Sequence, residues 1–190
     1  MTRARIALAF ALLGAVLLAV PAPAETPAEA RQAQLDRLFK ALRAAPDEQA
    51  AAMIEGRIRA LWLDQATPAV GLLMGRGDRD LGNDAPGEAI ADFDAALDLE
   101  PDFSEGYNHR AVARAAAGDY DGAVRDIEQA LQHDPRNFSA LEGLSHIAER
   151  QGNWQGALDA WRKALDIDPR TPGGLDRLDM LQKKVEGEAT

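Results

Sequence analysis

The chain has 190 residues, 31 acidic against 21 basic side chains, a formal charge of −10 and no cysteine. Such acidity disfavours nucleic acid and anionic lipid as partners. The lack of thiols excludes disulfides, cysteine nucleophiles and zinc–thiolate sites, so a chain of this length must hold its core by packing alone.

Residues 1–24 read as a signal peptide. Arg3 and Arg5 precede an apolar run from Ile6 to Val20, Pro21 interrupts it, and Ala22-Pro23-Ala24 supplies a small-x-small cleavage site. The run is too short to span a bilayer, so the expectation is export without stable membrane insertion after cleavage. Residues 25–67 follow as an N-terminal helical pair, with Glu25 to Ala30 a mobile lead-in. Leu35, Leu38, Phe39 and Leu42 share one helical face, as do Met53, Ile54, Ile58, Leu61 and Trp62. Pro46 ends the first helix and Asp47 is placed to cap the second. The pair is expected to pack on the segment that follows it. Thr67-Pro68 is a helix start signal.

From there to residue 171 the chain repeats. Gly118 and Gly152 lie 34 residues apart, as do Ala123 and Ala157, Ala130 and Ala164, Leu131 and Leu165, and the prolines Pro101, Pro135 and Pro169. Three copies result, 70–103, 104–137 and 138–171. In the central copy Tyr107, Ala111 and Arg114 lie on one side of a first helix, and Gly118 permits a left-handed turn. Tyr120, Ala123, Val124, Ile127, Ala130 and Leu131 form the stripe of a second helix, which Pro135 ends. A single hairpin of this kind cannot bury its stripe, so neighbouring copies must stack. The first copy is degenerate in its first helix. Arg76 and Asp80 stand where the third copy has Leu144 and Ala148, and the polar run DRDLGNDAPGE from Asp78 to Glu88 predicts an early helix end and a long turn. Residues 172–190 hold a capping helix marked by Leu175, Leu178, Leu181 and Val185, and a tail.

No metalloprotease helix, phosphate loop or nucleophile elbow is present, and the reading is of a non-enzyme with no cofactor and no metal. One ionisable cluster stands out. Glu142, His146 and Glu149 fall on one helical face by their i, i+4, i+7 spacing, and His109 of the preceding copy could lie nearby. This face reads either as a metal or pH-sensitive contact or as a solvated surface.

The 34-residue period, its small residues and its closing Asp-Pro resemble the tetratricopeptide repeat. The third copy is nearest the pattern, through Leu141, Leu144, Gly152, Trp154, Ala157, Trp161, Ala164 and Pro169. The resemblance implies an all-α, right-handed superhelical solenoid of helix-turn-helix repeats, with an N-terminal helical pair and a C-terminal capping helix. The whole chain is similar to short exported proteins of this type in Gram-negative bacteria, which implies a periplasmic location. In this family the first helices line a groove that grips a peptide or a partner's helix. Carried onto this chain, the groove residues are Glu105, Asn108, Val112 and Ala116, then Ser139, Glu142, His146, Glu149 and Arg150. Chaperone-binding members hold a terminal carboxylate with Lys and Asn. Here only Asn108 fits that clamp, while Val112 and Glu142 depart from it. The implied function is a periplasmic adaptor for a neutral or basic protein or peptide, with self-association through an apolar edge as a further contact. The alternative is a small exported binder of a metal or cell-wall fragment through Glu142, His146 and Glu149.

Overall fold

The computed structural model describes residues 26–188, all of whose regular structure is helical. The signal peptide read over residues 1–24 lies outside the described residues. In chain order the helices are α1 Pro27–Arg43, α2 Glu48–Leu63, α3 Pro68–Gly82, α4 Pro86–Leu99, α5 Ser104–Ala116, α6 Tyr120–His133, α7 Phe138–Arg150, α8 Trp154–Ile167 and α9 Gly174–Glu188.

Local chemistry sets most of these limits. Thr26 and Glu29 form a reciprocal capping box, so α1 begins at Pro27 and the segment read as a lead-in is mostly helix. Asp47 caps α2 as expected, through the backbone N–H of Ala50 at 2.8 Å. Asp119, Asn137 and Asn153 do the same for α6, α7 and α8. Asp-Pro or Glu-Pro steps close α4, α6 and α8. The early end predicted for α3 is not found. The helix runs to Gly82, because its terminating left-handed residue is Asp84, at φ 57°, one period before Gly118 at 85° and two before Gly152 at 73°.

The helices pair as α3–α4, α5–α6 and α7–α8, and the pairs stack through α4–α5 and α6–α7. First helices also touch one another, α3 with α5 and α5 with α7, and no comparable contact joins the second helices. The array therefore curves toward α3, α5 and α7, which form its concave side. Small residues permit the crossings. At Gly77 even a Cβ would come within 2.6 Å of the Phe93 ring, and Ala111 and Ser145 take the same place in the next two copies. Phe93, Ile127 and Trp161 fill the centres of successive pairs, each 4% exposed or less. The helix α9 covers the last pair: Leu181 is fully buried, and the Trp161 indole N–H donates to the Gly174 carbonyl at 2.9 Å. Leu175, read as part of this stripe, is 63% exposed in the first turn.

The N-terminal pair does not pack on the first repeat. Leu35, Phe39, Leu42, Ile58 and Trp62 instead share a core with Phe138, Leu141, Ala164 and Ile167 of the third. Helix α2 runs back along the corners that join one repeat to the next. The residues preceding the repeat-closing prolines, Glu100, Asp134 and Asp168, lie one period apart. Glu100 accepts the backbone N–H of Thr67, and Asp134 accepts the Trp62 indole N–H, both at 2.8 Å. Asp168 meets Glu55. Seven residues separate Glu55 from Trp62, two helical turns on one face, so α2 meets the last two corners in reverse order and Thr67, just beyond it, meets the first. The pair is a strap along one rim of the concave side.

Candidate functional site: a partly covered concave face

The nine groove residues expected from the sequence divide into three groups. Glu105 and Asn108 are buried, at 4% and 7% exposure, and do not line an open groove. Glu105 accepts the Asn137 amide at 2.6 Å and lies 3.7 Å from His109. It also borders a polar cleft of about 330 Å3 beneath the strap, with Trp62, Ser104, His133 and Asp134. Its burial follows from stacking, since Asn137 caps α7, the first helix of the next repeat, and its amide needs an acceptor inside the joint.

Ser139 and Glu142 are covered by the strap. The Arg59 guanidinium donates to Ser139 Oγ at 3.2 Å and pairs with Glu55 at 2.7 Å. Glu142 accepts the Thr171 hydroxyl at 3.3 Å. Burial raises the Glu142 pKa and Glu55 adds to the rise, against the opposing charge of Arg59.

Val112, Ala116, His146 and Arg150 remain exposed, and Glu149 is half-buried. Ala116, His146 and Arg150 border a cavity of about 220 Å3 between α5 and α7, with Ala115, Tyr120 and Ile147. Val112 stands one turn before Ala116 on the same helix, 52% exposed. This open stretch pairs apolar surface with a cation at its edge.

The face read as a metal or pH-sensitive contact is pulled apart. Glu149 is held by Arg177 of α9 at 2.8 Å, Glu142 turns to Thr171, and His146 lies edge-on to Trp161 at 6.4 Å. Burial and then Arg177 lower the His146 pKa. His109 is not beside them. It packs edge-on against Phe93, with Asp78 at 2.6 Å and Glu105 on its other side. Burial opposes its charge, but the two carboxylates prevail and raise its pKa to about 9. Among the described residues no three His, Asp or Glu side chains converge as metal ligands would.

Arg76 and Asp80, read as marks of degeneracy, belong to an ordered polar layer. Arg76 makes a bidentate pair with Asp92, and one period later Arg110 pairs with Asp126 at 2.6 and 2.9 Å. The hydrogen bonds from Arg76 lower the Asp92 pKa. In the third copy both positions turn apolar together, as Leu144 and Ala160. The strap contacts of Arg59 and Trp62, and the reach of Arg177, gave no such periodic signal.

Comparison with known proteins agrees with this architecture. A family model described as the tetratricopeptide repeat matches residues 72–126 and 110–172. A TPR repeat-containing protein of Rhizobium etli is 33% identical over 196 aligned positions, which cover all of this chain and 96% of that protein. Hsp70-Hsp90 organizing protein 3 of Arabidopsis thaliana is 29% identical over 63 residues, 33% of this chain but only 11% of that protein. Among solved structures, the Sgt2 TPR domain from Aspergillus fumigatus superposes with a TM-score of 0.61 at 24% identity, covering 65% of this chain and 83% of that one. The first TPR of Spaghetti, described as bound to an HSP90 peptide, gives 0.60 at 15% identity over 64% and 98%. Likeness at these identities speaks to the fold.

Proposed function

The chain belongs to the tetratricopeptide repeat family, and on that premise we propose that it is a non-catalytic adaptor holding another protein against the open part of its concave face. The observation that carries this reading is the stretch formed by Val112, Ala116, His146 and Arg150. It is accessible, sets the apolar Val112 and Ala116 beside the polar His146 and Arg150, and is built on helices, as suits a groove for a peptide or an amphipathic helix. A terminal carboxylate is a poor fit, because Asn108, its one matching clamp residue, is buried. The chain's charge of −10 favours a neutral or basic partner. The N-terminal apolar run supports export to the periplasm, which fractionation of cells producing the tagged protein would test.

Affinity capture of the mature protein from an extract of its own cells, followed by titration of the captured partner, tests the groove. Val112→Glu and Ala116→Glu change exposed positions, so the melting temperature should hold within about 2 °C. Partner affinity should fall about tenfold or more, equivalent to about 1.4 kcal/mol. Unchanged affinity in both variants places the binding surface elsewhere.

A further inference from the structure

The strap is joined to the third repeat by a contact that a neutral-pH carboxylate pair could not sustain. Glu55 and Asp168 are 4% and 1% exposed. Glu55 Oε2 takes the Arg59 guanidinium and Asp168 Oδ1 takes the Arg170 backbone N–H at 3.1 Å. Their remaining oxygens, Glu55 Oε1 and Asp168 Oδ2, are both buried with no donor from any other group. Two buried carboxylates in that position repel, and each leaves a lone pair unmet. A single proton between them resolves both faults, since one carboxyl then donates to the other.

We propose that this pair makes the strap a proton-operated cover: with one proton shared between Glu55 and Asp168 the strap closes over Ser139 and Glu142, and loss of that proton opens it. Other groups around the pair set the balance. Arg59 on α2 neutralises one charge at most, and it is already committed to Glu55 and Ser139. Glu142 on α7 adds a third carboxyl to the same interface. Arg177 on α9 directs Nη2 to Glu149 and Ser145, at 2.8 and 3.1 Å, and Glu48 accepts the Gly173 backbone N–H at the neighbouring turn. Among the described residues, no cation donates to either orphaned oxygen, so a second negative charge there has no direct partner.

Burial first, and the Glu55 carboxyl second, raise the Asp168 pKa from 3.8 to about 7. The closed form thus binds a proton that the open form releases. Closure is strongest below the ordinary carboxylate pKa and weakens as pH rises from there. Its proton-linked part is gone above about 7. Within that window the ratio of open to closed molecules rises about tenfold per pH unit. Opening would bare Phe138 and Leu141 beside the groove. That consequence for binding rests on the adaptor reading, while the switch itself does not.

Spin labels test the switch without a partner. The chain has no native cysteine, so Met53→Cys on α2 and Arg162→Cys on α8, both exposed, give one labelled pair. Pulsed dipolar distances should show one short population at pH 5 and an added longer one at pH 8. Asp168→Asn keeps the acceptor for Arg170 and places an N–H where the proton sits, so it should stay closed at both pH values. Glu55→Gln should behave alike and guards against misfolding of the first variant. A wild-type distance that does not move with pH, or opening in both amide variants equal to wild type, overturns the proposal. Either result leaves the groove reading untouched, and failure of groove variants to weaken binding leaves the switch untouched.

Discussion

The polar layer inside the first two repeats illustrates how one period can carry two chemistries. Arg110 and Asp126 meet between α5 and α6, with Asp126 also taking Arg114 at 2.9 Å and its side chain 4% exposed. Removing one partner of such a pair leaves an uncompensated buried charge, whereas replacing both by apolar groups is often nearly neutral. The third repeat has already made that exchange, as Leu144 and Ala160. Asp126→Ala should therefore cost about 3 kcal/mol in urea unfolding, and adding Arg110→Leu should recover about 2 of it. A double variant no more stable than the single one would mean that the repeats do not share this packing. The relation is legible in the sequence, since Arg76 and Arg110 change to Leu144 at the same step at which Asp92 and Asp126 change to Ala160. Taken one position at a time, Arg76 looks only like a misfit.

At the scale of elements, sequence signals worked where the backbone itself demands a residue and failed where polarity stood in for shape. The glycines after α5 and α7, the closing prolines and the Asp47 cap all lie where local geometry needs them. The run from Asp78 to Glu88 looks like a turn because it is polar. Most of it is helix, with Asp78 held to His109 and Asp80 half-buried near Asp92. What ends α3 is the left-handed residue, and here it is Asp84. Aspartate tolerates that region less well than glycine. Asp84→Gly should thus stabilise the protein by a few tenths to about 1 kcal/mol in thermal or urea unfolding, while Gly118→Ala should cost about 1–2 kcal/mol. A loss of stability in Asp84→Gly would show that the Asp84 side chain itself supports the turn.

For the whole molecule, the repeat array was readable in the sequence and the course of the strap was not. An amphipathic stripe reveals that a helix has a face to bury but not which surface takes it. The stripe on α2 was correct, yet its partners Phe138 and Asp134 lie more than seventy residues away. The burial of Glu105 and Asn108 was hidden for a related reason, as it depends on how the repeats join. Trp62 is the centre of the strap, 2% exposed between Phe39 and Phe138 at 6.0 and 5.3 Å. Trp62→Ala should weaken docking of the strap by about 3–5 kcal/mol. Hydrogen exchange should then speed up across α1 and α2 while α5 and α6 keep their protection. Loss of protection spread evenly over all helices would show that the strap and repeats unfold as one unit.

The reverse course of α2 along the corners has a mechanical consequence. A stack of helix pairs, each touching only its neighbours, behaves as a coiled spring, with a pitch that bends at little cost. A helix, by contrast, has a fixed rise, and the seven residues from Glu55 to Trp62 span about 10 Å. Fixed to Asp168 at one end and Asp134 at the other, α2 is a splint laid along that spring. While it is seated the inner surface keeps one curvature, and once it lifts the same surface is free to flex around whatever it holds.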